Sequence, residues 1–197
     1  MLKRSSLVVS ALATFLLAGC VTVNYSLPAS SPSNSAPPTA TSASPSPSTE
    51  TFTPGAPANQ CLTANLSVSL EDEGASAGHL HAKVVFTNNG PECVLAGYPT
   101  VHVIQGAAII GAGSAEDSSA AVAPVTLAAG GRAIAQLTSI NIDPGGGPLG
   151  DSCVVDHGTG YRVTPPHSTT PILVDSANVP ACTNGTVWMT AGPVTAP

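Results

Sequence analysis

The clearest pattern of apolar and polar positions begins just after Cys61. Apolar side chains occupy every second position there, at Leu62, Ala64, Leu66, Val68 and Leu70. A period of two places successive side chains on opposite faces of an extended chain, so this segment predicts a β-strand with one apolar face. The acidic run at residues 71–73, followed by Gly74, predicts that the strand ends there.

A second alternating run covers residues 79–87, and it predicts a second strand. Its two faces are Leu80, Ala82, Val84 and Phe86 on one side and His79, His81, Lys83 and Thr87 on the other. Shorter apolar segments follow at residues 101–104, 109–110, 122–127, 133–140, 161–164, 172–174 and 186–190. Because a glycine-containing connection joins residues 122–127 to 133–140, we expect those two to form a hairpin. No segment after residue 58 has a helical period, and the seven to nine short strands predict an all-β sandwich.

The first nineteen residues have the layout of a secretory signal peptide. Lys3 and Arg4 precede an apolar run at residues 7–17, which is shorter than the ~20 residues of a membrane-spanning helix. The sequence LAGC at residues 17–20 resembles the bacterial lipobox. That resemblance implies cleavage before Cys20 and a diacylglyceryl group on its sulfur. We therefore expect an exported chain, anchored by Cys20 to the outer face of the cell membrane; the alternative is an ordinary signal peptide with a coincidental cysteine.

Residues 20–58 predict a disordered linker. Between Pro28 and Ala58, 27 of 31 residues are Pro, Ser, Thr or Ala. Such a segment cannot bury enough apolar surface to offset the entropy of ordering. Its composition also resembles O-glycosylated stalks. The globular domain is then predicted to span residues 59–197.

Charge narrows the classes of partner. The formal net charge is −6, and beyond residue 58 only Lys83, Arg132 and Arg162 are basic. A surface so poor in cations cannot neutralise a run of phosphates, which excludes nucleic acid as a partner. Attraction to an anionic membrane surface is disfavoured for the same reason, so membrane attachment must come from the lipid at Cys20.

The cysteine count fits an exported domain. With Cys20 assigned to lipid, an even set of four remains: Cys61, Cys93, Cys153 and Cys182. Exported domains keep their disulfides, so two bonds are expected, and three connectivities are open on the sequence alone. No pair has the CxxC spacing of a redox centre or a compact zinc site, and we predict no cofactor.

No catalytic or metal-binding arrangement stands out. His79 and His81 share a strand face, but a metal needs a further ligand and Lys83 on that face repels a cation. The acidic residues 71–73 cannot all face one calcium ion in extended chain, so a solvated loop is the favoured interpretation. Ser114 lies in a glycine-rich stretch that lacks the Gly-x-Ser-x-Gly elbow of hydrolases.

Aromatic residues are the remaining candidates for binding. The globular part has only four: Phe86, Tyr98, Tyr161 and Trp188. Exposed aromatics often anchor partners, so Tyr98 and Trp188 are candidate partner-binding residues. For Trp188 the favoured interpretation is bulk in an aliphatic core, whereas for Tyr98 both interpretations stay open.

Several segments resemble a known family. They are Cys61, the sequence FTNNGPECVLAGYP at residues 86–99, VTLAAGGRA at residues 125–133, and the pair Cys153 and Cys182. Together they resemble the actinobacterial domain-of-unknown-function family 4232. The resemblance implies an immunoglobulin-like β-sandwich on secreted or lipid-anchored proteins, and it brings no catalytic residues. It also implies the bonds Cys61–Cys93 and Cys153–Cys182, the first of which a hairpin of the first two strands would favour too.

The sequence leaves two functional hypotheses. The first is a non-enzymatic, lipid-anchored envelope protein that presents its sandwich to a protein, glycan or lipid partner. The second is a small exported enzyme such as a cell-wall hydrolase, which would need a cleft containing an acid–base pair.

Overall fold

Strands account for nearly all the regular structure. A computed structural model of the protein describes residues 50–197. The predicted signal peptide, Cys20 and residues 20–49 of the predicted linker lie outside the described residues. The strands are β1 (Leu66–Ser76), β2 (His79–Asn88), β3 (Cys93–Leu95), β4 (Thr100–Gln105), β5 (Ala108–Ile110), β6 (Ala115–Glu116), β7 (Val125–Leu127), β8 (Arg132–Ile140), β9 (Val155–Thr164), β10 (Ile172–Cys182) and β11 (Met189–Ala191). Two short 3-10 helices span Thr63–Asn65 and Gly147–Ser152.

The strands form two main sheets that enclose one core. One sheet has the order β1-β2-β8-β11-β6, the other β10-β9-β4-β5, and β3 pairs with β7 in a separate ladder. Buried side chains from both sheets, such as Phe86 and Val163, belong to the same apolar cluster. The prediction of an all-β, immunoglobulin-like sandwich is therefore confirmed. Within residues 50–197 no helix is long and apolar enough to cross a membrane.

The first two strands form an antiparallel hairpin, the arrangement that favours a Cys61–Cys93 bond. Val68 lies opposite Phe86 and Leu70 opposite Val84, so the apolar faces predicted from the alternation coincide. Two details differ from the prediction. Residues 63–65 form a 3-10 helix before β1, and β1 continues through the acidic run to Ser76, with a register shift between Asp72 and Gly74.

The acidic run within β1 pairs with cations on β2 and β8 of the same sheet. The carboxylate of Glu71 lies 2.5 Å from the guanidinium of Arg132, and that of Glu73 lies 2.5 Å from the ammonium of Lys83. Ion pairs across strands stabilise extended chain, which the sequence pattern of the run alone did not indicate.

The predicted hairpin of residues 122–127 with 133–140 is wrong. β7 pairs with β3, whereas β8 pairs with β2 and β11. The turn between β7 and β8 is held by Asn88, whose backbone carbonyl accepts from Gly130 and whose N–H donates to Gly131. Because this turn is bound to the end of β2, the chain passes from the β3–β7 ladder to the five-stranded sheet, and β8 does not pair with β7.

Both disulfides join buried cysteines. Cys61 is bonded to Cys93 and Cys153 to Cys182, which is the pairing that the resemblance implied. The Cys61 N–H donates to the carbonyl of Val94 at 3.0 Å, so Cys61 runs alongside β3. Each bond closes about thirty residues of chain, with separations of 32 and 29 positions.

The ordered domain begins before the predicted boundary at residue 59. Residues 50–60, here called the N-terminal strap, lie against the loop between β9 and β10. Phe52 forms a β-bridge with Ser168, and the N–H of Thr53 donates to the carbonyl of His167 at 2.8 Å. Glu50 supplies a carboxylate that accepts hydrogen bonds from the domain. Backbone pairing at Phe52 and Thr53 and the carboxylate of Glu50 thus fix a segment whose composition predicted disorder.

Candidate functional site

An open groove forms around Tyr98, where residues from five separate segments meet. Its volume is about 370 Å³, and we call it the Tyr98 groove. The lining residues are Thr53, Gly97, Tyr98, Glu116, Val122 and His167. Thr53 belongs to the N-terminal strap, Glu116 ends β6, and the other segments are loops. The groove therefore brings one of the two candidate aromatic residues together with ionisable side chains.

The backbone around Tyr98 is fixed on both sides. Gly97 has a φ of +104°, which favours glycine, and its carbonyl accepts from the N–H of Val194 at 2.9 Å. A Cβ at Gly97 would lie 3.4 Å from Nε2 of His167, so the chain approaches the imidazole closely there. Pro99, which is buried, restricts the backbone of the residue before it. These neighbours hold Tyr98 half-buried in the groove wall.

The N-terminal strap forms one side of the groove together with His167. Oγ1 of Thr53 lies 3.3 Å from Nδ1 of His167, and the backbones of the two residues are hydrogen-bonded. His167 has a φ of +59°, an unusual conformation for a residue with a side chain. The strap thereby helps to set the position of this imidazole.

The groove lining also includes a carboxylate and an exposed aliphatic residue. Glu116 is exposed on β6, which pairs in parallel with β11. Among the described residues, no Lys, Arg or His nitrogen lies within 4.0 Å of its carboxylate. Val122 is 47% exposed, although it is a large aliphatic residue. The groove therefore offers an aromatic ring, an imidazole, an aliphatic surface and an unpaired negative charge.

Trp188, the second candidate aromatic, lies in the core. It is 5% exposed and belongs to the buried apolar cluster. It lines a smaller cavity of about 190 Å³ beside His79 and Ile140. With so little accessible surface it offers a partner almost no contact area, and its placement fits the interpretation of bulk in an aliphatic core.

A second open cavity of about 480 Å³ lies beside the disulfide Cys153–Cys182. Its lining includes Asp143 and Asp151, and Nε2 of His157 lies 3.2 Å from Oδ2 of Asp143. A carboxylate that orients an imidazole is one element of a catalytic site. Among the described residues that line the cavity there is no hydroxyl group, and the sulfur of Cys153 is held in the disulfide.

The residues considered for metal or nucleophilic chemistry have other partners. Nε2 of His81 lies 2.8 Å from Oγ of Ser76, whereas His79 is exposed. The hydroxyl of Ser114 accepts from the N–H of Val101 at 3.0 Å, which fixes the loop after β5. Residues 50–197 contain no group of three or more His, Cys, Asp or Glu side chains arranged to hold a metal ion.

His102 is a buried polar group that the sequence pattern did not single out. Its Nδ1 is buried and has no hydrogen-bond partner among the described residues. Burial, followed by the charge of Arg162 on the adjacent strand, lowers the pKa of the imidazole. A Cβ at Gly113 would lie 2.6 Å from its Nε2, so the loop after β5 covers the ring.

The architecture defines a class of two-disulfide, all-β sandwich domains. Within that class the chain belongs to the family described as Domain of unknown function (DUF4232), whose model matches residues 61–195. Comparisons with curated proteins and with solved structures found no significant match. The matched range contains Tyr98, Glu116, Val122 and His167, whereas Thr53 precedes it.

Sequence reasoning found Tyr98 but missed the rest of the groove. Thr53 lay in a segment predicted to be disordered, and Val122 in a predicted strand that begins only at Val125 in the structure. Glu116 lies in a strand of two residues and His167 in a loop. None of these segments has a hydrophobic period that would place it in space. The one available signal was the sequence Gly97-Tyr98-Pro99, in which an aromatic residue stands between two residues that fix the backbone.

Proposed function

We propose that this protein is a lipid-anchored component of the cell envelope whose β-sandwich is a non-enzymatic binding module. The Tyr98 groove is its contact with a partner. The observation that carries this proposal is the convergence of Tyr98, Glu116 and Val122 in one open groove. Partner-binding sites commonly combine an aromatic anchor with exposed aliphatic surface and a few polar groups.

The anchor is supported by the sequence. Residues 17–20 resemble the lipobox, the apolar run before them is too short to span a membrane, and the four remaining cysteines form two disulfides. Disulfides persist in exported proteins and are rare in the cytosol. Anchoring through Cys20 on the outer face of the membrane accounts for the odd cysteine.

The proposal is tested by photo-crosslinking in cells. A photoreactive benzoylphenylalanine replaces Val122 in the full-length protein, and captured partners are identified by mass spectrometry. We expect one partner to be captured repeatedly, and to be lost when Cys20→Ala, combined with a signal peptide that is cleaved without lipidation, releases the protein from the membrane. The matched control carries the same group at Leu173, which is 61% exposed on β10 and outside the groove. Equal capture from both positions would contradict a specific site at Tyr98.

The second candidate function, a cell-wall hydrolase, is favoured by the Asp143–His157 pair in its cavity. Its test is release of soluble fragments from purified peptidoglycan by the full-length protein and by the variants Asp143→Asn and His157→Gln. We expect no release above the background of a heat-inactivated sample. Release that both substitutions abolish would replace the binding-module proposal with the enzymatic one.

A further inference from the structure

We infer that the group bound in the Tyr98 groove is a cationic side chain, a lysine or arginine presented by a protein partner. The inference rests on the proposed function, because it names the chemistry of the ligand for the same groove. It is carried by three features: the charge distribution of the domain, the unpaired carboxylate of Glu116, and the arrangement of Tyr98 and Val122.

The charge of the domain favours a positive partner. All eleven acidic residues of the chain lie at or after Glu50, whereas only three basic residues do. Two of those three, Lys83 and Arg132, are held in ion pairs with Glu73 and Glu71. A surface with this excess of negative charge attracts cationic partners and repels anionic ones.

Glu116 is the acidic residue that lines the groove. Asp117 follows it directly along the chain but lines a different cavity, and the backbone N–H of Ser119 donates to Oδ1 of Asp117 at 3.0 Å. The hydrogen bonds from Ser119 hold the pKa of Asp117 below its usual value, so this carboxylate stays ionised. Within the described part of the chain, no cationic nitrogen lies within 4.0 Å of either carboxylate. Two adjacent carboxylates thus lack a counter-charge from residues 50–197.

The remaining walls suit both the charged end and the methylene groups of a lysine or arginine. The face of an aromatic ring attracts a cation, and Tyr98 lies in the same groove as Glu116. Long cationic side chains also bury their methylene groups against apolar surface, which the exposed Val122 supplies. A neutral sugar could stack on Tyr98, but it would leave the charge of Glu116 without an opposite partner.

The test is a binding titration followed by nuclear magnetic resonance with the isotope-labelled full-length protein in detergent micelles. The probes are the peptide acetyl-Gly-Ser-Lys-Ser-Gly-amide, the same peptide with glutamine in place of lysine, and chitotriose as a neutral glycan. We expect the lysine peptide to shift the signals of Gly97, Val122 and His167, and the glutamine peptide to bind about two- to fivefold more weakly. Raising the salt concentration from about 20 mM to about 150 mM should weaken the binding of the lysine peptide only.

Substitutions separate the contributions of Glu116 and Tyr98 to the affinity for the lysine peptide. Glu116→Gln should weaken the binding of the lysine peptide about two- to fivefold. It should leave the structure of the domain unchanged, because the side chain is exposed. Tyr98→Leu, which keeps apolar bulk in the wall, should weaken the binding similarly. Asp175→Asn is the matched control, since it removes one exposed negative charge from β10, outside the groove. It should leave the affinity within about twofold of the original.

The other outcomes are distinguishable. Equal binding of the lysine and glutamine peptides, or an unchanged affinity in Glu116→Gln, overturns the inference of a cationic ligand. Shifts of the groove signals by chitotriose alone overturn that inference and leave the binding module in place. If no probe shifts these signals at about 10 mM, the cationic ligand is rejected, and crosslinking from Val122 decides the proposed function separately.

Discussion

The side-chain amide of Asn88 donates a hydrogen bond to the backbone carbonyl of Leu127, 3.0 Å away, although the two residues are 39 positions apart. Asn88 ends β2 of the five-stranded sheet, and Leu127 ends β7 of the separate ladder. The same amide also donates to the carbonyl of Pro91 at 2.8 Å, and Oδ1 accepts from the N–H of Gly90 at 2.9 Å. One fully buried side chain therefore joins two ladders and the turn after β2.

We predict that Asn88→Ala lowers the free energy of unfolding by about 2–4 kcal/mol, because each buried polar group left without a partner costs about 1–3 kcal/mol. Urea denaturation measures the loss. Asn89→Ala is the control, because that exposed side chain donates only to Oγ of Ser67, at 3.1 Å. Its effect should stay below about 1 kcal/mol. Similar losses in the two variants would contradict the role given to Asn88.

The second disulfide should contribute strongly to stability. Replacing both Cys153 and Cys182 by alanine should cost roughly 3–4 kcal/mol, because the bond closes a loop of about thirty residues in the unfolded chain. Denaturation of the double variant measures this. Peptide mapping of the unreduced protein should first recover the linked pairs Cys61–Cys93 and Cys153–Cys182. A linked peptide that joins Cys61 to Cys153 would show that the pairing is different.

Glu50 should hold the N-terminal strap in place. Its Oε2 accepts from the N–H of Thr63 at 2.6 Å, and its Oε1 accepts from the hydroxyl groups of Thr63 and Ser168. Glu50→Gln places an amide group where these donors need an acceptor, and it removes a charge that strengthens the bonds. We expect amide exchange of Thr53 and Gln60 to become about tenfold faster or more, since losing a charged hydrogen bond costs about 1.5–3 kcal/mol.

Hydrogen exchange followed by mass spectrometry measures this change. Glu92→Gln, a substitution of an exposed glutamate outside the strap, is the control and should leave the strap peptides unchanged. Unchanged exchange in Glu50→Gln would mean that the backbone pairing of Phe52 and Thr53 with the loop after β9 is enough to hold the segment.

His102 should make the domain less stable in mild acid. Its folded-state pKa is lowered, first by burial and then by Arg162, whereas the unfolded imidazole titrates near its ordinary value of about 6.5. Below that value the unfolded state binds more protons than the folded state, so stability is lost as the pH falls from about 6.5 toward the lowered pKa. His102→Gln should remove this part of the pH dependence.

Urea midpoints measured between about pH 7.5 and pH 5 provide the comparison. His79→Gln is the control, because His79 is exposed and makes only a 3.2 Å contact with the carbonyl of Ala77. If the midpoint of His102→Gln falls with pH as steeply as that of the original protein, His102 is not the group responsible.

The parts of the fold that could be predicted are those in which apolar and polar residues alternate regularly along both of two paired strands. β1 and β2 each have a continuous apolar face, and the faces that they bury were predicted. β9 shows why other strands were predicted too short. Gly158 and Gly160 interrupt its pattern, and a Cβ at Gly158 would lie 2.5 Å from the carbonyl oxygen of Ile104. A glycine that the adjacent backbone requires is indistinguishable, in the sequence, from a glycine that ends a strand.

The candidate site was predictable only in part, because it depends on contacts between distant segments. Tyr98 could be selected as a rare aromatic residue, but its neighbours Glu116 and His167 are brought to it by the pairing of β6 with β11 and by the loop after β9. The incorrect prediction of a hairpin between residues 122–127 and 133–140 has a similar origin. Gly130 and Gly131 are compatible with several turns, and it is Asn88, 42 positions before Gly130, that binds this one at its two backbone groups.

The position of β11 inside its sheet constrains the order in which the chain can fold. β11 spans Met189–Ala191 and separates β8 from β6, although it is the last strand along the chain. A nascent chain synthesised only as far as residue 188 therefore cannot complete the five-stranded sheet. Because β11 is the neighbour of β6 in that sheet, β6 stays unpaired there until the chain through Ala191 has been made.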